Sequence, residues 1–291
     1  MNTTFWGPSG WEFLHILTFI YPENPTISDK VKMRKMMNSL CFILPCKYCR
    51  LSFTKYMKSL PIDGYLDSRD LCIEWLYKIH NKVNKKLRIQ GFCKHSNPEL
   101  KYVKTLYVKR IKYIYEMINN KQKEQNARVK NVINYICNYG HIFLGCIVFN
   151  YQGYYTNCHT IKEKSIIIKV YDEFFNSIIP LICSYLTNFC KDSKECVSRY
   201  TIPKFNIRYI LTQNEPYSKL LKWFYNCDDL CTIKSIYMSE DYYLKHFNKN
   251  IVMSCDNPNG NILKNGNKIK SCRKRGLGSH ENKITKKNTK N

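Results

Sequence analysis

Prolines divide the first 96 residues into four segments, and each segment has the periodicity of an amphipathic helix. Pro22, Pro45 and Pro61 stand at the boundaries, where a proline removes a backbone donor and clashes with any helix that would continue past it. The last segment shows the clearest pattern, because its apolar side chains recur every three or four residues and share one helix face. They are Leu71, Trp75, Leu76, Ile79, Val83 and Leu87. Four such helices with short loops predict an all-α bundle over residues 1–96.

Short polar side chains are placed to begin two of these helices. Ser28 and Asp29 predict the start of the second helix, and Ser68, after Asp67, predicts the start of the fourth. Such side chains accept hydrogen bonds from the free N–H groups of a first turn. We expect the third helix to run from about residue 46 to residue 60, ending before Pro61.

The rest of the chain predicts two further regions. Residues 97–255 have helical patterns, at 166–189 and 217–226 for example, and predict a second, mainly helical domain of unknown role. Within it, the highly charged stretch 99–130 is typical of an exposed helix or linker. Residues 256–291 are rich in Asn, Lys and Gly and almost free of large apolar residues, which predicts a disordered basic tail.

Location is constrained by two further stretches. No Lys, Arg, Asp or Glu occurs from 131 to 161, but a membrane span needs about 20 mostly apolar residues and Asn134, Asn138 and His141 interrupt this one. We therefore expect a buried helix there rather than a membrane span. The first 11 residues have neither the basic nor the apolar region of a secretory signal, so we expect the chain to act on the cytosolic side.

The net charge of +25 is a property of many nucleic-acid-binding proteins. Here the excess is mostly Lys, in a sequence also rich in Asn, Ile and Tyr, and part of it lies in the tail. We interpret it as a solvated basic surface, and we do not expect specific nucleic-acid binding.

Cys46 and Cys49 form a Cys-x-x-Cys pair where the third helix is expected to begin. Structural zinc sites and thiol redox sites share this spacing. A closed zinc site needs four ligands, and the other close pair, Cys227/Cys231, has a wider spacing in a different region. We therefore favour redox chemistry and expect no metal. Because a helix N-terminus favours a thiolate, both thiols are expected to have pKa values below the usual ~8.5.

Aromatic, His and Asn residues accompany the thiol pair at helical spacing. Trp6-Gly7 opens the first helix, followed by Trp11 and His15. His80-Asn81-Lys82-Val83-Asn84 closes the fourth. Together with Tyr21-Pro22, Pro45-Cys46-x-x-Cys49-Arg50 and Trp75, these motifs resemble the Erv/ALR family of FAD-linked sulfhydryl oxidases. The resemblance covers the first third of the chain. A long chain with an extra C-terminal domain looks most like the family members found in large DNA viruses.

The resemblance implies an enzyme whose four-helix bundle holds FAD. It implies that Cys46 and Cys49 are catalytic, with Cys46 facing substrate and Cys49 facing the flavin. The implied cofactor-binding residues are Trp6, Gly7, Trp11, His15, Cys49, Trp75, His80, Asn81, Val83, Asn84 and Lys86. For the Trp and His residues among them, simple core packing is the alternative.

The implied reaction forms disulfides in substrate proteins and passes the electrons to O2, giving H2O2. The implied partners are protein dithiols, such as thioredoxin-like or viral structural proteins, and a second copy in a homodimer. The expected location is the cytoplasm of an infected host cell or the virion. The alternative function is a non-catalytic scaffold that binds a membrane, nucleic acid or virion component.

Family members often carry a second, flexible cysteine pair that shuttles electrons from the substrate. Cys227/Cys231 and Cys190/Cys196 are the candidates by spacing. Cys93 stands where family members carry one half of a structural disulfide, but the usual partner is missing.

Overall fold

The computed structural model describes residues 3–92, 94–119, 136, 139–140, 142–151, 160–187, 251–252 and 262–263. The main helices are α1 (Thr3–Phe19), α2 (Ile27–Ile43), α3 (Lys47–Ser59), α4 (Arg69–Ile89), α5 (Leu100–Asn119) and α6 (Ile161–Thr187). A short 3-10 helix, Ile62–Tyr65, precedes α4, and residues 142–151 are also helical. The predicted all-α class is confirmed. A two-residue antiparallel pairing of β1 (Ile251–Val252) with β2 (Ile262–Leu263) was not predicted.

Two helix starts test the predicted capping residues. Ser68 begins α4, as predicted, because its hydroxyl accepts from the Leu71 N–H at 3.2 Å. For α2 the prediction was wrong for Ser28, since Thr26 is the N-cap there, and right in giving Asp29 a part in the cap. The Thr26 hydroxyl accepts from the Asp29 N–H at 3.2 Å, and the Asp29 carboxylate accepts from the Thr26 N–H at 3.0 Å. Asp29 therefore acts three residues inside the helix, as the second half of a capping box.

Helices α3 and α4 run antiparallel. At one end the Trp75 indole N–H donates to the Leu60 carbonyl at 3.0 Å. At the other end the Lys86 ammonium donates to the Ser52 hydroxyl at 2.7 Å. The N-terminal end of α3, where the thiol pair lies, is therefore beside the C-terminal half of α4.

Both halves of the described chain contribute to one core. Apolar side chains of α1, α2, α4, α5, α6 and the 142–151 helix form a single buried cluster. Helix α2 contacts α3, and it makes its most extensive contact with α6. The boundary predicted at residue 96 stays a prediction, but the described helices on its two sides share this core.

The 142–151 helix lies directly against α1. The Ser9 hydroxyl donates to the Tyr139 carbonyl at 2.7 Å, and a Cβ added at Gly140 would lie only 2.6 Å from a ring carbon of Phe13. Phe143 and Ile147 have no exposed surface. The buried helix expected in the charge-free stretch is thus present where that stretch is described.

Within the described residues, no helix is both long enough and apolar enough to cross a membrane. The stretch 99–130 was expected to be an exposed helix or linker. Its described part forms α5, which is exposed on one face only, because Val103 and Tyr107 on the other face are buried. The helix predicted at 217–226 lies outside the described residues, as does the predicted tail apart from residues 262–263.

Candidate active site

A short turn between α2 and α3 holds the thiol pair. Cys46 is the N-cap of α3, and its carbonyl accepts from the N–H groups of Cys49 and Arg50 at 2.9 and 3.0 Å. The Arg50 guanidinium reaches back to the Leu44 carbonyl at 2.6 Å. Because Arg50 lies in the first turn of α3 and its side chain bonds the C-cap residue of α2, it holds the turn that carries Cys46.

The two cysteines take different positions relative to α3. Cys49 lies three and seven residues before Ser52 and Tyr56, so these side chains share a helix face. That face points to α4, since Ser52 accepts from Lys86 and the Tyr56 hydroxyl donates to the Lys82 carbonyl at 3.3 Å. Cys46 stands at the helix start, before this face begins. Both cysteines are half-buried free thiols.

The pKa values of the two thiols move in opposite directions. A hydrogen bond from the Cys49 thiol, helped by the backbone N–H groups of Cys49 and Tyr48, lowers the pKa of Cys46 to about 6. The same bond and burial raise the pKa of Cys49, although the positive charges of Lys86 and Arg50 oppose the rise. The expectation of a low pKa holds for Cys46 and is wrong for Cys49. Two adjacent thiols cannot ionise independently, so one keeps its proton and donates it to the other.

An aromatic cluster lies between α1, α4 and α5. It consists of Trp11, His15, His80 and Tyr107. The rings of Trp11 and His80 stack with centroids 3.7 Å apart and planes 7° apart. His15 is hydrogen-bonded to His80, Nε2 to Nδ1, at 3.0 Å. The His15 ring also stacks on the Tyr107 ring, with centroids 4.9 Å apart.

Both histidines of the cluster are neutral at physiological pH. Burial lowers the pKa of His80 to about 4, and burial together with the charge of His80 lowers the pKa of His15 to about 3. Within the described residues, the buried His15 Nδ1 has no hydrogen-bond partner. A buried polar atom without a partner is costly, and His15 Nδ1 is free to hydrogen-bond a bound group.

Helix α4 links the aromatic cluster to the thiol pair. It supplies His80 to the cluster and Lys86 to the neighbourhood of Cys49. Asn81, Val83 and Asn84 lie between them and are half-buried. The structure thus brings these predicted residues together along one helix, at the thiol end of the bundle.

Three other predicted residues are placed differently. Trp6 is buried and stacks on Phe143, with centroids 5.8 Å apart, and Gly7 beside it has open space around its Cα. Trp75 has no exposed surface, and its indole N–H is used by the Leu60 carbonyl. These contacts favour the core-packing alternative for Trp75, and a cofactor role for the three residues stays a prediction.

Tyr107 is the site residue that sequence reasoning missed. Its hydroxyl group interacts with Glu12, and burial raises its pKa. Arg110, one turn further along α5, forms an ion pair with Glu12. The available signal was the spacing of Val103, Tyr107 and Arg110, which places the three on one face of a segment that otherwise reads as charged and exposed.

Among the described residues, no group of three or more His, Cys, Asp or Glu side chains is arranged to bind a metal ion. Cys190, Cys196, Cys227, Cys231 and Cys93 lie outside the described residues. The electron-shuttle role and the pairing considered for them therefore stay predictions.

The fold and the site together define a helical domain with a reactive dithiol at a helix start, beside a buried aromatic and histidine cluster. Residues 8–103 match the model of the Erv1 / Alr family. The N-terminal part of the chain is therefore an Erv1/Alr family domain.

Three relatives are similar to this part of the chain. The “Probable FAD-linked sulfhydryl oxidase” of Acanthamoeba polyphaga mimivirus is 38% identical over 85 residues, which is 29% of this chain and 59% of that protein. The mitochondrial FAD-linked sulfhydryl oxidase of Saccharomyces cerevisiae is 38% identical over 86 residues, 30% of this chain and 44% of that protein. The FAD-linked sulfhydryl oxidase of Arabidopsis thaliana is 35% identical over 81 residues, 28% and 41% of the two chains. The match thus spans about half the length of these relatives.

Proposed function

We propose that this protein is a FAD-dependent thiol oxidase that forms disulfides in substrate proteins. The observation that carries the proposal is the placement of Cys49 on the face of α3 that points to α4, the helix that also carries His80 of the aromatic cluster. The names of the three relatives, each a FAD-linked sulfhydryl oxidase, support it.

The residues present fit FAD, which combines flat ring systems, polar ring edges and two phosphates. Trp11 and His80 are half-buried and already stacked, so they offer a surface for a ring. His15 Nδ1 needs a hydrogen-bond partner, and the amides of Asn81 and Asn84 can both donate and accept. Lys86 supplies a positive charge for a phosphate, while Trp6, Gly7, Val83 and Trp75 would shape the surrounding walls.

The thiol chemistry follows from the positions of Cys46 and Cys49. With the two joined in a disulfide, a substrate thiolate attacks the Cys46 sulfur, the S–S bond breaks, and the electron pair goes to Cys49. A second substrate thiolate then attacks the mixed disulfide and releases Cys46. The low pKa of Cys46 makes its thiolate a good leaving group.

Regeneration of the disulfide needs an electron acceptor. Bound FAD would supply it, taking two electrons and two protons from the Cys46/Cys49 dithiol and passing them to O2 as H2O2. Within the protein, Lys86 and Arg50 favour negative charge on Cys49. They therefore assist the step in which Cys49 must lose its proton.

The proposal extends to the assembly and its setting. Protein dithiols are the substrates, a homodimer is the expected assembly, and the cytoplasm of an infected cell or the virion is the expected location, in line with the viral relative. Residues 1–96 would form the catalytic domain, and the helices of 97–255 would support it through the shared core.

The test uses the full-length protein. We expect a yellow protein with a flavin spectrum that consumes O2 when dithiothreitol is added. Cys46→Ser should keep the flavin and lose turnover with protein dithiols, whereas His80→Ala should lose flavin. His95→Ala is the matched control, since His95 is exposed and is not one of the residues of the aromatic cluster. A colourless protein that consumes no O2 would refute the proposal and leave the scaffold alternative.

A further inference from the structure

The outward face of α3 carries a row of cationic and apolar side chains that starts at the active site. Lys47, Leu51, Lys55 and Lys58 are spaced by four, four and three residues, so they share one face of the helix. We call them the basic stripe. Cys49 and Phe53 lie on the opposite face, which is directed into the bundle. Leu51 is 54% exposed, and Lys55 and Lys58 are exposed.

The charge of the basic stripe is not neutralised by the described part of the chain. No Asp or Glu occurs between residues 30 and 62, and none of the ion pairs between described residues includes Lys47, Lys55 or Lys58. Lys30 and Arg34 on α2, in contrast, are each paired with an aspartate. The stripe therefore presents unbalanced positive charge to solvent.

Four acidic residues of the domain follow α3 in the chain. Asp63, Asp67, Asp70 and Glu74 are on or beside the 3-10 helix and the start of α4. That end contacts the C-terminus of α3 through the Trp75–Leu60 bond. Each of the four is paired with a cation outside the basic stripe, so none of these pairs neutralises Lys55 or Lys58.

Apolar side chains flank the turn that holds Cys46. Phe42, on the last turn of α2, is 49% exposed, and Leu51 is more than half exposed on the other side. Phe42 and Leu51 therefore place apolar surface on both sides of the reactive turn, where it can contact a bound chain.

We propose that the basic stripe docks an acidic segment of the substrate protein, next to the dithiol that attacks Cys46. The inference rests on the proposed thiol oxidase function and specifies its substrate class. A substrate sulfur must reach Cys46, so the neighbouring chain lies over the start of α3. Lys55 is nine residues after Cys46, which places it about 13 Å from Cys46 along the axis of α3. Carboxylates there would pair with Lys55 and Lys58, while an apolar side chain near the cysteines would contact Phe42 and Leu51.

Protein is favoured over nucleic acid because only a protein brings a thiol to Cys46. The experiment compares two peptides with the same central Cys-x-x-Cys, one with Glu and one with Lys in the flanking positions. Turnover is measured as O2 consumption by the full-length holoprotein, relative to its turnover of dithiothreitol. Binding is measured separately by fluorescence anisotropy, with the peptide cysteines replaced by Ser.

We expect the Glu peptide to be preferred about tenfold in kcat/KM and in affinity at low salt, with the preference reduced at high salt, because several exposed ion pairs contribute and salt screens them. Lys55→Glu/Lys58→Glu should reverse the preference. Lys101→Glu/Lys109→Glu on α5 makes the same charge change outside the stripe, and this variant should keep the preference for the Glu peptide.

Different failures identify different errors. Equal use of the two peptides by a protein that oxidises dithiothreitol would overturn the docking proposal and leave the oxidase intact. No oxidation of any dithiol would overturn both. Binding of a fluorescent duplex oligonucleotide is measured in the same way. If the oligonucleotide binds, if Lys55→Glu/Lys58→Glu abolishes this binding, and if peptide charge has no effect, the surface binds phosphate and the proposal is overturned.

Discussion

The Cys49→Ala variant tests the hydrogen bond that distinguishes the two thiols. In the reduced protein the Cys49 thiol donates to Cys46, and this bond is the largest cause of the low pKa of Cys46. A hydrogen bond to a charged group is worth about 1.5–3 kcal/mol, and one pKa unit is about 1.4 kcal/mol. Removing the donor should therefore raise the pKa of Cys46 by about 1 to 2 units.

The effect is large near neutral pH. With a pKa of about 6, Cys46 is about 90% thiolate at pH 7, whereas a pKa raised by this amount leaves about 10–50%. Cys49→Ser is the matched control, because its hydroxyl can still donate to Cys46. We expect the serine variant to lie between the wild type and the alanine variant.

The assay is pulsed alkylation of the reduced protein without oxygen. Iodoacetamide is added for a short time at a series of pH values, and mass spectrometry measures the label on Cys46. Cys41 serves as an internal reference, since burial raises its pKa. The pH midpoint of Cys46 labelling is compared among the three proteins. A wild-type midpoint near 8.5, or an alanine variant with the wild-type midpoint, would show that the S–H···S bond does not set the pKa of Cys46.

Three further predictions concern the supporting structure. Gly140→Ala should destabilise the fold by about 1–3 kcal/mol, because its new Cβ meets Phe13. Gly64→Ala, where a Cβ meets nothing within 4 Å, should change the urea midpoint little. Trp75→Phe should lower the free energy of unfolding by about 1–3 kcal/mol but keep bound flavin; loss of flavin at unchanged stability would restore its predicted cofactor role. His15 has a folded pKa of about 3, below its unfolded value, so its contribution is complete above pH 7 and falls as the unfolded state takes up protons. Between pH 8 and pH 5 the loss due to His15 is about 2 kcal/mol. His80, with a folded pKa of about 4, causes a loss of similar size, so His15→Gln should remove about half of the dependence that the two histidines cause in urea unfolding.

The bundle could be predicted from the sequence because its signals are local. Prolines and apolar periodicity gave four helices, and Ser68 begins α4 as expected. The same kind of signal misplaced the start of α2. Ser28 is a good capping residue by type, but Thr26 and Asp29 satisfy each other's backbone groups, and that reciprocal pair determines where the helix begins.

The wall of the site formed by α5 could not be read from the sequence. Tyr107 belongs to the aromatic cluster because α5 packs on α1, a contact between segments about ninety residues apart. The contact of α2 with α6 is of the same kind. Local periodicity identifies the buried face of a helix but not its neighbour, so a charged, half-apolar helix such as α5 reads as exposed until its partner is known.

The opposite shifts of the two thiol pKa values agree with the charges around them. Cys46 stands at the start of α3, beside the basic stripe, where its thiolate is stabilised and a substrate can approach. Cys49 keeps its proton while Cys46 is a thiolate, and Lys86 and Arg50 favour its ionisation. In the catalytic step the pair starts as a disulfide, and substrate attack on Cys46 breaks the S–S bond and leaves Cys49 as the thiolate. Cys46 is then held in the mixed disulfide without charge, so the largest cause of the raised pKa of Cys49 is absent and the two cations remain. Attack on Cys46 therefore releases Cys49 as a thiolate that Lys86 and Arg50 stabilise.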